Sequence, residues 1–167
     1  GIVMEYLPRG PQNELDLAGQ LASLHQQNSL DYGWPNPLFI GRYALPFGTF
    51  STHWPTFWFT ERIQPLLRDT WQTLGGMGAR IEALHKQFEP PEEGPCLIHG
   101  DLWNGNVLMS QHGAYLIDPS CWYGERGVDL AMMKLFGGFS TAFWQAYSVQ
   151  YPLSPAIEEA LPFYQLY

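Results

Sequence analysis

Apolar residues recur at helical spacing between Asn13 and about Asn28, with Leu17, Leu21 and Leu24 on one face beside Ala18 and Ala22. Asn13 stands ahead of the run as an N-cap, so an amphipathic helix is predicted there. Residues 29–52 carry Gly, Pro and aromatic side chains without sustained periodicity, and they read as a long ordered loop, a kind of segment that in a compact domain usually borders a substrate. Helical composition resumes from Thr52 to Leu74. Pro55 is tolerated near a first turn, but Pro65 should kink or break the run into two segments. A short helix over Ala79–Phe88 comes next (Ile81, Leu84, Phe88), closed by Glu89, Pro90 and Pro91. The period then changes. Cys96–Ile98, Val107–Met109 and Tyr115–Ile117 read as short strands, the last two joined as a hairpin around Gln111, His112 and Gly113. Helical patterns return over 128–136, 141–150 and 154–166.

The N-terminal stretch 1–7 reads differently, as an apolar strand end (Ile2, Val3, Met4) stopped by Pro8, Gly10 and Pro11. A domain that opens in mid-strand reads as a truncated one.

At 167 residues the chain suits one core, and 46% hydrophobic against 14% charged residues places it among globular proteins. Eight Lys plus Arg face sixteen Asp plus Glu, a net charge of -8, which repels phosphate backbones and argues against a nucleic-acid partner. Cys96 and Cys121 have neither zinc-ligand nor redox-motif spacing, which suits a reducing, cytoplasmic setting. No apolar run reaches the roughly 18 residues of a membrane span. Aromatic residues make up 16% of the chain, including seven Trp. The Trp54, Phe57, Trp58 and Phe59 group has the spacing of core packing more than of a stacking surface.

Candidate chemistry concentrates in Ile98-His99-Gly100-Asp101-Leu102-Trp103-Asn104-Gly105-Asn106, succeeded by a strand, a turn, a second strand and Asp118-Pro119. Phosphoryl transfer to a hydroxyl needs a proton acceptor and oxygen ligands for magnesium, since its transition state is stabilised by position and charge. Asp101 can supply the first. Asn106 lies five positions on, the spacing of a kinase catalytic loop in which Asp is the base and Asn holds a metal. Asp118 stands where the metal-binding carboxylate belongs, and both ligands offer hard oxygens. Asp118-Pro119 replaces the Asp-Phe-Gly of protein kinases, so no activation-loop switch of that kind is expected. His99 is expected to pack and hydrogen-bond the loop, His25 and His85 to be surface or satisfied helix residues, Cys121 to be a buried small hydrophobe, and Glu92-Glu93 and Glu158-Glu159 to be solvated.

The strings HGDLWNGN and IDPSCWYGERGVDLAMMKLFGGF, with VMEYL and WPTFWFTERIQP upstream, resemble the fructosamine (ketosamine) kinase family over nearly the whole chain. Trp103 after HGDL and the tract ending LFGGF separate that family from aminoglycoside and choline kinases, which share the Asp-Asn-Asp set. The resemblance implies the C-terminal lobe (8–167) of an α+β protein-kinase-like fold, mostly α, a helical bundle whose small β-hairpin carries the catalytic loop. It implies ATP-dependent phosphorylation of a sugar hydroxyl of ketosamines, free or protein-bound, with magnesium. Asp101 would be the base, Asn106 and Asp118 the magnesium ligands, Trp103 a stacking face for the sugar, and Glu5, Tyr6 and Leu7, in a hinge strand at 1–7, the adenine-binding segment. Gly127 departs from the family, which usually has Glu there. A nucleotide-covering N-terminal lobe would precede Gly1; without it the chain is expected to be inactive and to self-associate through the exposed lobe-facing surface rimmed by Ile2, Val3 and Met4. Two rival readings are an aminoglycoside- or choline-type kinase lobe and a non-catalytic binding domain derived from one.

Overall fold

The computed structural model describes residues 5–11 and 13–167. Ile2, Val3 and Met4, and with them the upper part of the expected hinge strand and its apolar rim, lie outside the described residues. Glu5–Leu7 have no regular secondary structure; among the described residues the first pairing is at Arg9, which bridges antiparallel to Ser110, and Gly10 N–H donates to Met109 O (3.1 Å). Gly10 approaches the Ser110–Gln111 backbone so closely that any side chain would overlap it.

Helix α1 (Glu14–His25) starts where the periodicity places it, with the Asn13 side chain accepting from Asp16 N–H at 3.2 Å. Its apolar face packs on α6 (Thr141–Gln150) and against the sheet. The expected loop 29–52 instead holds four short strands: β1 (Tyr32–Gly33), β2 (Leu38–Ile40), β3 (Tyr43–Leu45) and β4 (Phe50–Ser51). Strands of two or three residues are too short to show a period of two, so composition alone cannot reveal them. β2 and β3 form a separate hairpin, while β1 and β4 join a four-stranded antiparallel sheet in the order β4-β1-β8-β5, with β5 (Cys96–Ile98) and β8 (Trp122–Gly124). β8 is also absent from the sequence reading.

From Trp54 to Leu74 the chain is helical without interruption: α2 (Trp54–Phe57), a π-helical segment (Trp58–Ile63) and α3 (Gln64–Leu74). Pro65 does not split the run. It has no N–H for the carbonyl of Glu61, and the wider π turn relieves its ring against that carbonyl. The Glu61 O left over accepts from Arg62 Nη1 at 2.9 Å. Arg62 is buried and its guanidinium lies 4.1 Å from the Trp122 ring centroid, so the π segment is locked onto β8. Helix α4 (Gly76–Gln87) ends at Phe88 as expected.

Trp54, Trp58, Trp122, Tyr32 and Phe57 interlock at the centre of the core, and Trp54 Nε1–H donates to Tyr164 OH at 2.9 Å. The Trp54 group is thus core, Phe59 being only partly buried. Hairpin β6 (Val107–Ser110) and β7 (Gly113–Leu116) turns through Gln111-His112. α5 (Gly127–Phe136) packs on α7 (Pro155–Tyr164). Among the described residues the architecture is therefore helical with three small antiparallel sheets, and it carries more sheet than a bundle with one hairpin.

Candidate active site

The segment between β5 and β6 is held from behind by one buried carboxylate. Asp129, in the first turn of α5, accepts from His99 N–H through Oδ2 (2.7 Å) and from Gly100 N–H through Oδ1 (2.9 Å), and its Oδ2 lies 3.2 Å from His25 Nε2. It is 1% exposed. His25 in turn meets Tyr147 OH at 2.8 Å, which links α1, α5 and α6 beneath the loop. Gly100, at φ +80°, lets Ser120 O and Trp122 approach where a side chain would block them.

His99 is committed on both ring nitrogens. Asp101 N–H donates to His99 Nδ1 (3.3 Å), which leaves Nε2 as the protonated nitrogen donating to Ile117 O (3.0 Å). It is buried and ties the loop to the end of the hairpin, as expected. Beyond it, Leu102 is fully buried while Asp101 is partly exposed and Trp103 38% exposed. Asn106 is buried at the end of a 3₁₀ turn (Asn104–Asn106), and its Nδ2 donates to Asp101 O (2.7 Å) and Asp101 Oδ2 (3.2 Å). With Nδ2 spent on Asp101, Oδ1 is the atom of Asn106 left to accept a donor or a cation.

Asp118 stands just past the hairpin. Ile117 N–H donates to Asn106 O (3.0 Å) and Ser120 N–H to His99 O (2.9 Å), so the residues on both sides of Asp118 are strapped to the loop that carries Asp101 and Asn106. Its backbone sits at φ 52°, the only non-glycine positive φ among the described residues, and its side chain is exposed. Left-handed backbone at a non-glycine residue is a small strain of the kind that gathers at functional sites, and Asp is among the residues that adopt it most readily. Among the described residues no three His, Cys, Asp or Glu side chains cluster as a metal site. One carboxylate and one amide oxygen nevertheless fit magnesium, which keeps several waters and takes its other ligands from phosphates.

An aromatic ring and small residues shape the rim. The Trp103 ring lies over Gly105, where a side chain would run into it. A cleft of about 360 Å³ opens between Arg9-Gly10 and Asn104, Gly105 and Val107–Met109, on the side of the hairpin where the chain from Glu5–Leu7 enters. Asp101 lies three positions before the wall residue Asn104 in sequence, and neither Asp101 nor Asp118 lines the cleft.

A fructosamine kinase family model matches residues 2–167. The chain belongs to the fructosamine kinase family. A "Probable ketoamine kinase" of Thermus thermophilus is 46% identical over 167 residues, covering 100% of this chain and 63% of that protein. One of Enterococcus faecium is 36% identical over 174 residues, covering 99% and 62%. Crystal structures provisionally named fructosamine-3-kinases superpose closely: that from Thermobifida fusca has a TM-score of 0.87 at 32% identity over 98% of this chain and 60% of its own, and that from Haemophilus somnus a TM-score of 0.82 at 28% identity, over 98% and 57%. The chain thus spans about three fifths of the length of these relatives.

Within this fructosamine kinase chain the three residues of the motif are drawn together by hydrogen bonds to or beside them, and Trp103 stands next to Asp101. Glu5 and Tyr6 are exposed and Leu7 half-buried, and they precede the Arg9–Ser110 bridge without lining the cleft. Gly127, the departure from the family pattern, packs against the Tyr164 ring where a side chain would clash. Sequence reasoning did not single out Asp129; the signal available was an acid heading the most apolar helix of the chain. It also missed Glu125, fully buried, whose Oε1 accepts from Tyr32 OH (2.5 Å) and from Glu93 and Gly94 N–H (3.0 and 3.2 Å). Burial pushes the Glu125 carboxyl up to about 7 against those bonds. Glu93, expected in solvent, pairs bidentately with buried Arg126 (2.6 and 3.1 Å), because the pair closes the loop before β5 over the end of α6. Cys121 is only partly buried, and the two sulfurs are not joined.

Proposed function

We propose that this chain carries the phosphotransfer centre of a kinase that moves the γ-phosphoryl group of ATP to a sugar hydroxyl of a ketosamine. The observation that carries the reading is the strapping of Asp101, Asn106 and the Asp118 turn into one hydrogen-bonded unit behind an exposed edge. In this reading the Asp101 carboxylate accepts the proton of the acceptor hydroxyl as that oxygen bonds to the γ-phosphorus, and the bond from phosphorus to the leaving ADP oxygen breaks. Asn106 Oδ1 and the Asp118 carboxylate would hold magnesium; bound there, it would neutralise charge on the β- and γ-phosphates. Asn106 Nδ2 also steadies Asp101, which keeps the base from swinging away between turnovers.

Adenine would lie in the cleft between Arg9-Gly10 and β6, against the backbone of Glu5–Leu7, and the Trp103 ring would face the sugar. Membership of the fructosamine kinase family, and relatives named as ketoamine kinases, favour a ketosamine over an aminoglycoside or choline acceptor. No helix among the described residues is long and apolar enough to cross a membrane. The test is phosphorus NMR of the intact enzyme with magnesium-ATP and a fructosyl-amine: a sugar phosphomonoester signal that Asp101→Asn abolishes is expected. Turnover of choline or an aminoglycoside with the fructosyl-amine inert would overturn the acceptor, and undiminished turnover by Asp101→Asn would overturn the base.

A further inference from the structure

Two large aromatic side chains stand exposed and in contact beside Asp101. Trp103 is 38% exposed and Phe136, the last residue of α5, is 59% exposed; their ring centroids are 5.7 Å apart with the planes 50° from parallel. Exposed rings are ordinary singly, but a pair held in a fixed angle next to a candidate reaction centre is a recognition surface.

Local backbone places both. Trp103 itself is extended, at φ -135°, ψ 172°. Leu102 is fully buried, which anchors the segment, while Asp101 and Trp103 on either side of it keep part of their surface exposed. One face of the Trp103 ring rests on Gly105. Phe136 is set by the three residues after it. Gly137 and Gly138 take φ +68° and +92°, stopping α5 and turning the chain away, and Gly138 touches the Asn104 side chain so closely that an added Cβ would collide with it. Phe139 then returns to pack on Phe143, leaving Phe136 at the loop. The angle between the two rings is therefore built by contacts outside the rings, which is preorganisation at low entropic cost.

We propose that Phe136 is a specificity-determining residue that, with Trp103, forms an aromatic corner stacking on the apolar C–H face of the acceptor's sugar, and so presents one hydroxyl to Asp101. The inference rests on the ketosamine kinase reading and extends it from Trp103 to a residue on a different element. Sugar rings carry a C–H face that packs on aromatic planes while their hydroxyls keep outward hydrogen bonds, so two rings at an angle hold the sugar's orientation as well as its position.

The test uses the intact enzyme. Phe136→Ala should raise KM for a fructosyl-amine on the order of tenfold, the change that about 1.4 kcal/mol of lost contact corresponds to. The KM for magnesium-ATP should stay within twofold. Phe136→Tyr, which keeps the ring, should restore the acceptor KM, whereas Phe136→Leu, which keeps apolar bulk without a ring, should not. Saturation-transfer NMR of the fructosyl-amine without ATP gives a readout separate from phosphoryl transfer: contact at the sugar C–H protons is expected in the parent and loss of it in Phe136→Ala. An unchanged acceptor KM, an equal rise in both KM values, full rescue by Leu, or NMR contact retained in Phe136→Ala would each overturn the aromatic corner. A parent that shows the NMR contact but no phosphorylation would sink the kinase reading and leave the corner standing as a sugar site.

Discussion

Asp129 tests the idea that the candidate base is held from below. Replacing it with Asn keeps the shape but turns one oxygen into an NH₂ group. The carboxylate accepts both the His99 and Gly100 N–H groups, at 2.7 and 2.9 Å, in a site that is 1% exposed. An amide can accept only one of them; the other N–H then faces a donor with no water to turn to. Hydrogen bonds to charged groups contribute about 1.5–3 kcal/mol each and an unmet buried donor costs about 1–3 kcal/mol, so a loss on the order of 3–4 kcal/mol is expected. Against the roughly 5–15 kcal/mol by which domains are stable, that is a large fraction. With a urea dependence of about 2 kcal/mol per molar, the unfolding midpoint should fall by roughly 1.5–2 M. Native-state hydrogen exchange should show the His99 and Gly100 amides losing protection before those of α7. Turnover should fall as well, because the segment that carries Asp101 loses its anchor. Asp101→Asn is the contrast: it touches the exposed edge and should leave the midpoint within about 0.3 M of the parent. If Asp129→Asn unfolds at the parent's midpoint with both amides still protected, the buried carboxylate does not hold the loop.

Other expectations concern the same network. Asp101→Asn should cut turnover about 100- to 10,000-fold with the KM for magnesium-ATP nearly unchanged, while Asp118→Asn should raise that KM; equal effects of the two on nucleotide affinity would refute their separate roles. Gly105→Ala would drive a methyl group into the Trp103 ring, so the acceptor KM should rise in steady-state assays; an unchanged value would show that the ring can move aside at no cost. Glu125 predicts a pH effect with a definite sign. Its folded-state value of about 7 lies above the ordinary 4.5, so between those values the folded chain holds a proton that the unfolded chain has released, and stability falls as pH rises through that window. Glu125→Gln, measured by urea unfolding from pH 4.5 to 8, should flatten that fall, and an identical slope in the variant would contradict it.

Local pattern alone places α1, α4, β5, the β6–β7 hairpin and the three C-terminal helices to within a few residues, because each is long enough to show its period or is bounded by Gly and Pro. The spacing of Asp101 and Asn106, and Asp118 after a hairpin, is equally local: the loop's own length lets Asn106 hydrogen-bond Asp101, and the two-residue turn brings Ile117 back to Asn106. β1, β4 and β8 are different: two or three residues have no period, and they become strands only when their edges meet. Pro65 shows the same limit from the other side. It predicts a break, and the helix runs on because Arg62, buried against Trp122 sixty positions away, favours a π turn that takes up the proline's missing bond. Asp129, Glu125 and the meeting of Trp103 with Phe136 depend on contacts about 30 to 90 residues apart in sequence. A buried carboxylate and a solvated one are the same letter in the chain, and only the packing around each decides whether it faces water or two main-chain N–H groups.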